Sequence, residues 1–303
     1  MARQTKSSPA VFIRALRLPF AGASLLPFIF GSLINRGNFG FLQFGLGFIA
    51  VLSTHLSANL INDYADSKSG ADWQDKSFFG LFGGSKLIQE GAFSERFYLR
   101  GAQIFACISI LCVICMAVAL KSPRVIIYYA VILGLAWSYS HKPLQLSYRR
   151  TGEPVIFVLF GPALVMGGYF LQTGIFPDLK SFMLSLPFGF FTTAVLFANE
   201  IPDFSDDKKA GKFTWVNFLG SGNSYLLYCT LVFMGFFSIL TAIALGYLSW
   251  TANFSFLLII PAVKSALILR RHSDNKRALV EASKLTIAVQ TLVSIILIFT
   301  LLL

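Results

Sequence analysis

The chain has 303 residues and a net charge of +11, with 55% of its residues hydrophobic and only 13% charged. A mean hydropathy of +0.69 excludes a disordered segment or an ordinary soluble domain and points to a polytopic membrane protein. The positive charge would suit nucleic acid, but it sits in short loops between apolar runs. Membrane topology and anionic headgroups account for it there, and no nucleic-acid partner is expected.

Nine apolar runs approach the roughly 20 residues that cross a hydrocarbon core. They cover residues 18–35, 40–61, 101–120, 124–140, 154–173, 181–199, 224–247, 252–270 and 284–303. Alternating loops then fall on opposite faces, and 21 of the 25 Lys and Arg residues, Arg3, Lys6 and Lys76 among them, share the face of the N-terminus. Arg36, Lys121, Arg124 and Lys180 lie on the other, so the positive-inside rule puts the N-terminus in the cytoplasm and the C-terminus outside. No cleaved leader is expected, because Arg14 and Arg17 lead straight into an apolar run, and neither end carries a lipidation motif. Cys107, Cys112, Cys115 and Cys229 all lie inside apolar runs. Cys112 and Cys115, though spaced C-x-x-C, read as packing and not as a metal or redox pair.

Carboxylates are scarce in this chain, yet two clusters stand at the ends of the second and sixth runs, each beginning with an asparagine. The first holds Asn62, Asp63, Asp66 and Asp72. Asn62 and Asp66 share one helix face at i, i+4, whereas Asp72 can join them only if Gly70 turns the chain. The second holds Asn199, Glu200, Asp203, Asp206 and Asp207. There Asn199, Asp203 and Asp207 follow at successive i, i+4 steps, with Gly211 ending or turning the helix. Four intervening runs place both clusters on the cytoplasmic face, which suggests two related four-helix halves plus a ninth helix, with the site at their interface. Carboxylate oxygens at helical spacing are hard ligands for Mg²⁺, and two opposed faces suit Mg²⁺ ions that clamp a diphosphate.

Between the clusters lie two further segments. The stretch around Gly83, Gly84, Ser85 and Lys86 is long for a connection between spans, as lids and binding loops are, and Lys86 could contact diphosphate. The loop from Trp137 to Glu153 carries Tyr139, His141, Lys142, Tyr148, Arg149 and Arg150. Its cations could hold diphosphate oxygens, and Tyr139 could stand beside an allylic carbocation. His55, inside the second run, is expected as a packed or hydrogen-bonded helix residue, and His272 as a solvated one.

These residues resemble those of the UbiA superfamily of intramembrane aromatic prenyltransferases. The first cluster is similar to that family's N-x-x-x-D motif and the second to its D-x-x-x-D motif. Asn62-Asp63-Tyr64-x-Asp66 with Gly70-x-Asp72, Pro143-Leu144-x-Leu146-Ser147-Tyr148-Arg149 and Asp207-x-x-Ala210-Gly211-Lys212-x-Thr214 are similar to the branch that prenylates 1,4-dihydroxy-2-naphthoate for menaquinone. Where that branch usually carries Arg before the second-motif aspartate, Pro202 stands here.

The resemblance implies an all-α polytopic fold of about nine transmembrane helices around a central cavity, forming a single domain over residues 1–303. It implies Mg²⁺-dependent transfer of a polyprenyl group from its diphosphate to an aromatic acceptor, in a bacterial or archaeal plasma membrane with the site facing the cytoplasm. Asp63, Asp66, Asp72, Asp203 and Asp207 would be metal ligands, with Asp66, Asp203 and Tyr139 catalytic. Asn62, Lys86, Lys142, Arg149, Asn199 and Lys212 would bind substrate. The alternatives are a same-fold enzyme for another acceptor, such as a specialised aromatic metabolite, a glycerol phosphate lipid or a tetrapyrrole, and a cation-coupled transporter.

Overall fold

The computed structural model describes residues 8–73 and 77–303, and among these the structure is helical, with no strand. Of the cations used for orientation, Arg3, Lys6 and Lys76 lie outside the described residues. α1 (Pro9–Ala15) and the segment Leu18–Leu33, which contains α2 (Gly22–Leu33), meet at a 49° bend. Arg17 makes that bend in a left-handed conformation, φ 49°, next to Pro19 at the start of the second segment.

There follow α3 (Phe41–Ser69), α4 (Glu95–Ala119), α5 (Arg124–Ser140), α6 (Gly152–Thr173) and α7 (Leu179–Glu200). The short α8 (Phe204–Lys209) and α9 (Trp215–Leu219) lead to α10 (Ser224–Ala244), α11 (Trp250–Arg271) and α12 (Lys276–Leu302). Seven of these helices are long and apolar enough to cross a membrane. The bent α1–α2 pair and the shorter apolar α5 bring the described residues to the nine expected runs, so the chain is an integral membrane protein.

Helix ends depart from the apolar boundaries for local reasons. α3 continues beyond residue 61 through the whole first acidic cluster, because helical hydrogen bonding does not stop where hydropathy does. It ends at Gly70, whose φ of +89° only glycine adopts freely. Ser94, Asp178 and Asn275 each accept a backbone N–H of the following turn, capping α4, α7 and α12.

The second cluster does not form the continuous helix expected of it. Pro202, lacking an N–H, stands in a turn over residues 201–203 that separates α7 from α8. Asp207 N–H still bonds Asp203 O at 2.8 Å, so the one-turn relation between those two aspartates survives the break.

Close helix crossings rest on small residues. A Cβ added at Gly31 of α2 would lie 2.1 Å from Val165 O of α6, and one at Gly168 would lie 2.6 Å from Phe28 O. Gly161, inside a π-turn over Leu159–Ala163 that contains Pro162, packs on the backbone of Gly189 in α7. Around these crossings, Phe30, Val165, Leu184, Phe188, Phe191, Ile239 and Val293 form the largest buried cluster. Arg36 Nη1 donates to Leu302 O at 2.6 Å, which sets the end of α12 beside the start of α3, away from the acidic ends. Replacing Gly31 by alanine forces α2 off α6. The expected cost is about 1–3 kcal/mol, read as a lower thermal unfolding midpoint in detergent, whereas Gly45→Ala, whose Cβ meets nothing within 4 Å, should leave the midpoint near wild type.

Candidate active site

Both acidic clusters open onto one cavity of about 350 Å³. Its polar end is bordered by Asn62, Asp66, Asp72, Asn199, Asp203 and Asp207, and its apolar end by Phe28, Gly47, Val113, Val125, Phe170 and Leu171. The distance from Asp66 to Gly47 along α3 is nineteen residues, about 28 Å at the helical rise. The cavity therefore runs most of the way across the bundle. Gly70 turns the chain after α3, and Asp72 reaches the cavity as that turn requires.

Cations separate the carboxylates. Lys212 Nζ stands 3.3 Å from Asp66 Oδ2 and 3.3 Å from Asp207 Oδ1, tying the first cluster to the second. Lys86 Nζ lies 2.9 Å from Asp72 Oδ1, and Lys276 Nζ lies 2.7 Å from Asp206 Oδ2. Tyr148 donates to Asp66 Oδ1 at 2.8 Å. Among the described residues no three carboxylate, histidine or cysteine side chains converge at metal-binding distance. Ammonium groups stand between the acids.

Burial disfavours charge at these aspartates. It raises Asp203 to about 7, helped by the nearby charge of Asp207. Asp72 also rises to about 7, through burial and then the charges of Asp66 and Asp63, partly opposed by Lys86. Asp207 is raised by burial against the pull of Lys212. Burial works against the charge of Lys212 too, yet Asp207 and Asp66 hold its ammonium well above the usual lysine range.

The loop after the first cluster joins both halves through its backbone. Gly83 N–H donates to Asp203 Oδ2 and Ser85 N–H to Asp63 Oδ2, each at 3.1 Å. Gly84, at φ +74°, lies so close to the acids that an added Cβ would meet Asp72 Oδ2 at 2.8 Å. Arg14 anchors the loop from α1, donating to Ser85 O at 2.8 Å and pairing with Glu90 at 2.6 Å.

Several expected residues sit where the sequence reading put them. Asn62, Asp66, Asp72, Lys86, Tyr139, Asn199, Asp203, Asp207 and Lys212 all border the cavity. Others do not. Asp63 is turned toward Ser85 and toward Arg17, 3.6 Å away, and so holds the loop instead of lining the cavity. Lys142 and Arg149 are exposed and do not border the cavity, because the chain after α5 carries them outward. Arg149 Nη2 donates to Pro143 O at 3.3 Å.

The structure adds Arg17, Lys276 and Glu200 to the cavity wall, with Glu153 buried beside Glu200. Arg17 reaches Asn62 Oδ1 at 3.3 Å, and Lys276 lines the cavity from the start of α12. Both looked like topology charges in the sequence, and only packing brings them in. Glu200 borders the cavity beside buried Glu153, with its Oε2 buried and without a hydrogen-bond partner. Its place between Asn199 and Asp203 was the available signal.

A family model described as the UbiA prenyltransferase family matches residues 24–289. The chain is 30% identical over 253 residues to UbiA prenyltransferase domain-containing protein 1 of Homo sapiens, covering 78% of this chain and 70% of that protein. The Mus musculus protein of the same name is 31% identical over 244 residues, covering 77% and 68%. In fold, the chain is similar to a UbiA homolog from Archaeoglobus fulgidus bound to DMAPP and Mg²⁺, with TM-score 0.66, 15% identity and coverage of 95% and 99%. A structure of digeranylgeranylglyceryl phosphate synthase gives TM-score 0.65 at 16% identity, covering 96% and 98%.

The raised aspartates set a direction for stability with pH. Folding favours their protonated forms, so the stabilisation they contribute is complete below about 3.8 and is lost as the pH rises through about 7. In the presence of chelator, the thermal midpoint is expected to fall over that window, and Asp203→Asn should flatten the fall.

Proposed function

The chain belongs to the UbiA prenyltransferase family, and from that premise we propose that it transfers a polyprenyl group from its diphosphate to an electron-rich aromatic acceptor. The observation that carries this reading is the single cavity with an acidic, lysine-bridged polar end and a long apolar end. One end suits a diphosphate with its counter-ions, the other an isoprenoid tail.

The side chains at the polar end fit Mg²⁺. Their donors are oxygens, the chemistry that ion prefers, and Asn199 Oδ1 is buried without a hydrogen-bond partner. Asp66 and Asp72 with Asn62 would hold it on one side, and Asp203 and Asp207 with Asn199 on the other. When bound, Mg²⁺ neutralises the diphosphate as a leaving group.

The chain's own residues do the rest. Lys212 and Lys86 sit within reach of the same carboxylates and are placed to take diphosphate oxygens. The C1–O bond of the prenyl group breaks with its electron pair leaving on the diphosphate, a ring carbon of the acceptor bonds to C1, and the ring loses a proton. The Gly83–Lys86 loop covers the polar end and excludes water, which would otherwise capture the carbocation. Tyr139 borders the cavity, and in this reading its ring faces that cation. Lys142 and Arg149 are assigned no contact in this reading, because they stand outside the cavity.

The acceptor in this reading is 1,4-dihydroxy-2-naphthoate or a related quinone precursor, supported by the motif likeness at Asn62–Asp72 and Asp207–Thr214. A second reading keeps the chemistry and changes the acceptor. Glu200 bears on it: a buried carboxyl group on the cavity wall with its Oε2 unpartnered suits a hydrogen bond to an acceptor hydroxyl or carbonyl, and it offers a ring carboxylate no cation. The cytoplasmic orientation of the site rests on the distribution of basic residues. The Homo sapiens and Mus musculus relatives are eukaryotic proteins and lend no support to a bacterial or archaeal setting.

Purified protein in nanodiscs with Mg²⁺, a series of prenyl diphosphates and a panel of acceptors tests both readings. Asp66→Ala and Asp203→Ala are each expected to lower pyrophosphate release and product by about 100-fold or more with the protein still folded. Naphthoate product supports the first acceptor, and product only with carboxylate-free acceptors supports the second. Wild-type protein that releases no pyrophosphate from any pair would overturn the reaction itself.

A further inference from the structure

His55 lies on the cavity-facing stripe of α3, seven residues before Asn62, about 10 Å down the helix axis, and a step of seven returns to nearly the same helix face. The residue borders the cavity yet is only 8% exposed. Its Nδ1 is 2.7 Å from Ser24 Oγ, and Ser24 is itself buried, with His55 as its one side-chain partner among the described residues.

That pairing decides the tautomer. A buried hydroxyl that accepted from the imidazole would leave its own proton without a partner, and donating to Nδ1 places it. The ring proton is then on Nε2. Nε2 is buried and has no hydrogen-bond partner in the protein. On one side the ring of Phe160 stands edge-on, with centroids 6.3 Å apart and planes at 84°, so that side is apolar. The cavity that His55 borders is where a bound molecule could supply that partner.

An isoprenoid tail has no atom that could accept from this N–H. A molecule that satisfies it carries oxygen, and its depth, two helical turns below Asn62, is where an acceptor ring would lie beside the reacting end of the prenyl group. We infer that His55 binds the prenyl acceptor, donating from Nε2 to a hydroxyl, carbonyl or carboxylate oxygen on it, while Ser24 holds the imidazole in the donating tautomer. The inference rests on the prenyl-transfer reading above and adds to it the group that selects an oxygenated acceptor.

The test uses the full chain in nanodiscs with Mg²⁺, a geranylgeranyl diphosphate donor and a panel of hydroxylated and quinone-type aromatic acceptors. KM is measured separately for donor and acceptor in wild type, His55→Leu, His55→Gln, His55→Asn and Ser24→Ala. His55→Leu is expected to raise the acceptor KM about tenfold and to leave the donor KM near wild type. Glutamine, whose amide N–H extends about as far as Nε2, should restore most of the loss, asparagine should not, and Ser24→Ala should fall between.

An unchanged acceptor KM, a rise in donor KM instead, or equal behaviour of glutamine and asparagine would each overturn the assignment. Should the leucine variant fail to fold, the glutamine and asparagine pair decides the matter alone. A wild type that ionises the donor but transfers it to no oxygenated acceptor would overturn the acceptor reading and this inference together. That failure is distinguishable, because it shows before any residue is changed.

Discussion

Everything at the polar end follows from placing acids where apolar helices end. Charged carboxylates drawn out of water are costly unless a cation stands beside them. Lys212 meets this constraint twice, lying 3.3 Å from a carboxylate of each cluster, and so joins α3 to the segment after α8. Lys86 does the same for Asp72 and brings the intervening loop with it. The two clusters are thus held together at the polar end of the bundle by charge, while Phe and Val side chains hold the helices together elsewhere. Such a contact exchanges one cation for another more readily than an apolar core rearranges, which suits a site that must admit metal and diphosphate.

The loop over that end depends on backbone as much as on side chains. Two successive glycines at positive φ let Gly83 reach Asp203 and let the chain pass against Asp72 with no Cβ between. Backbone N–H groups then satisfy carboxylate oxygens of both clusters, as donors with no side-chain entropy to lose. Asp63 belongs to this arrangement. By accepting from Ser85 and standing beside Arg17 it ties the loop to α3 and to the bend after α1.

Below the polar end, the bundle combines very close and very open contacts. Gly31, Gly161 and Gly168 bring α2, α6 and α7 to backbone distance on one side. The opposite side of α3, facing α5 and α6, remains open as the apolar cavity. Among the described residues, His55 Nε2 beside this space and Asn199 Oδ1 at the polar end are buried without a hydrogen-bond partner. In an interior this apolar, each unpartnered polar atom specifies the chemistry of what binds there more sharply than the many apolar walls do.

The sequence by itself determined the helical membrane class, because twenty-residue apolar runs leave backbone groups no partners other than their own helix. It determined the pairing of Asn62 with Asp66 too, since i, i+4 spacing is a local property of one helix, and the turn at Gly70. Pro202 is visible in the sequence, but the i, i+4 pattern of Asn199, Asp203 and Asp207 runs straight through it, so the break between α7 and α8 is legible only in the structure. Whether a cation faces inward was decided by tertiary structure. Arg17 and Lys276 enter the site while Lys142 and Arg149 stay outside, although all four look alike as basic residues in polar segments. The same holds for Asp63 against Asp66, three residues apart on one helix yet serving the loop and the cavity. Spacing fixes only a residue's angle on its own helix, whereas what occupies that direction depends on segments as far away as α1 and α12.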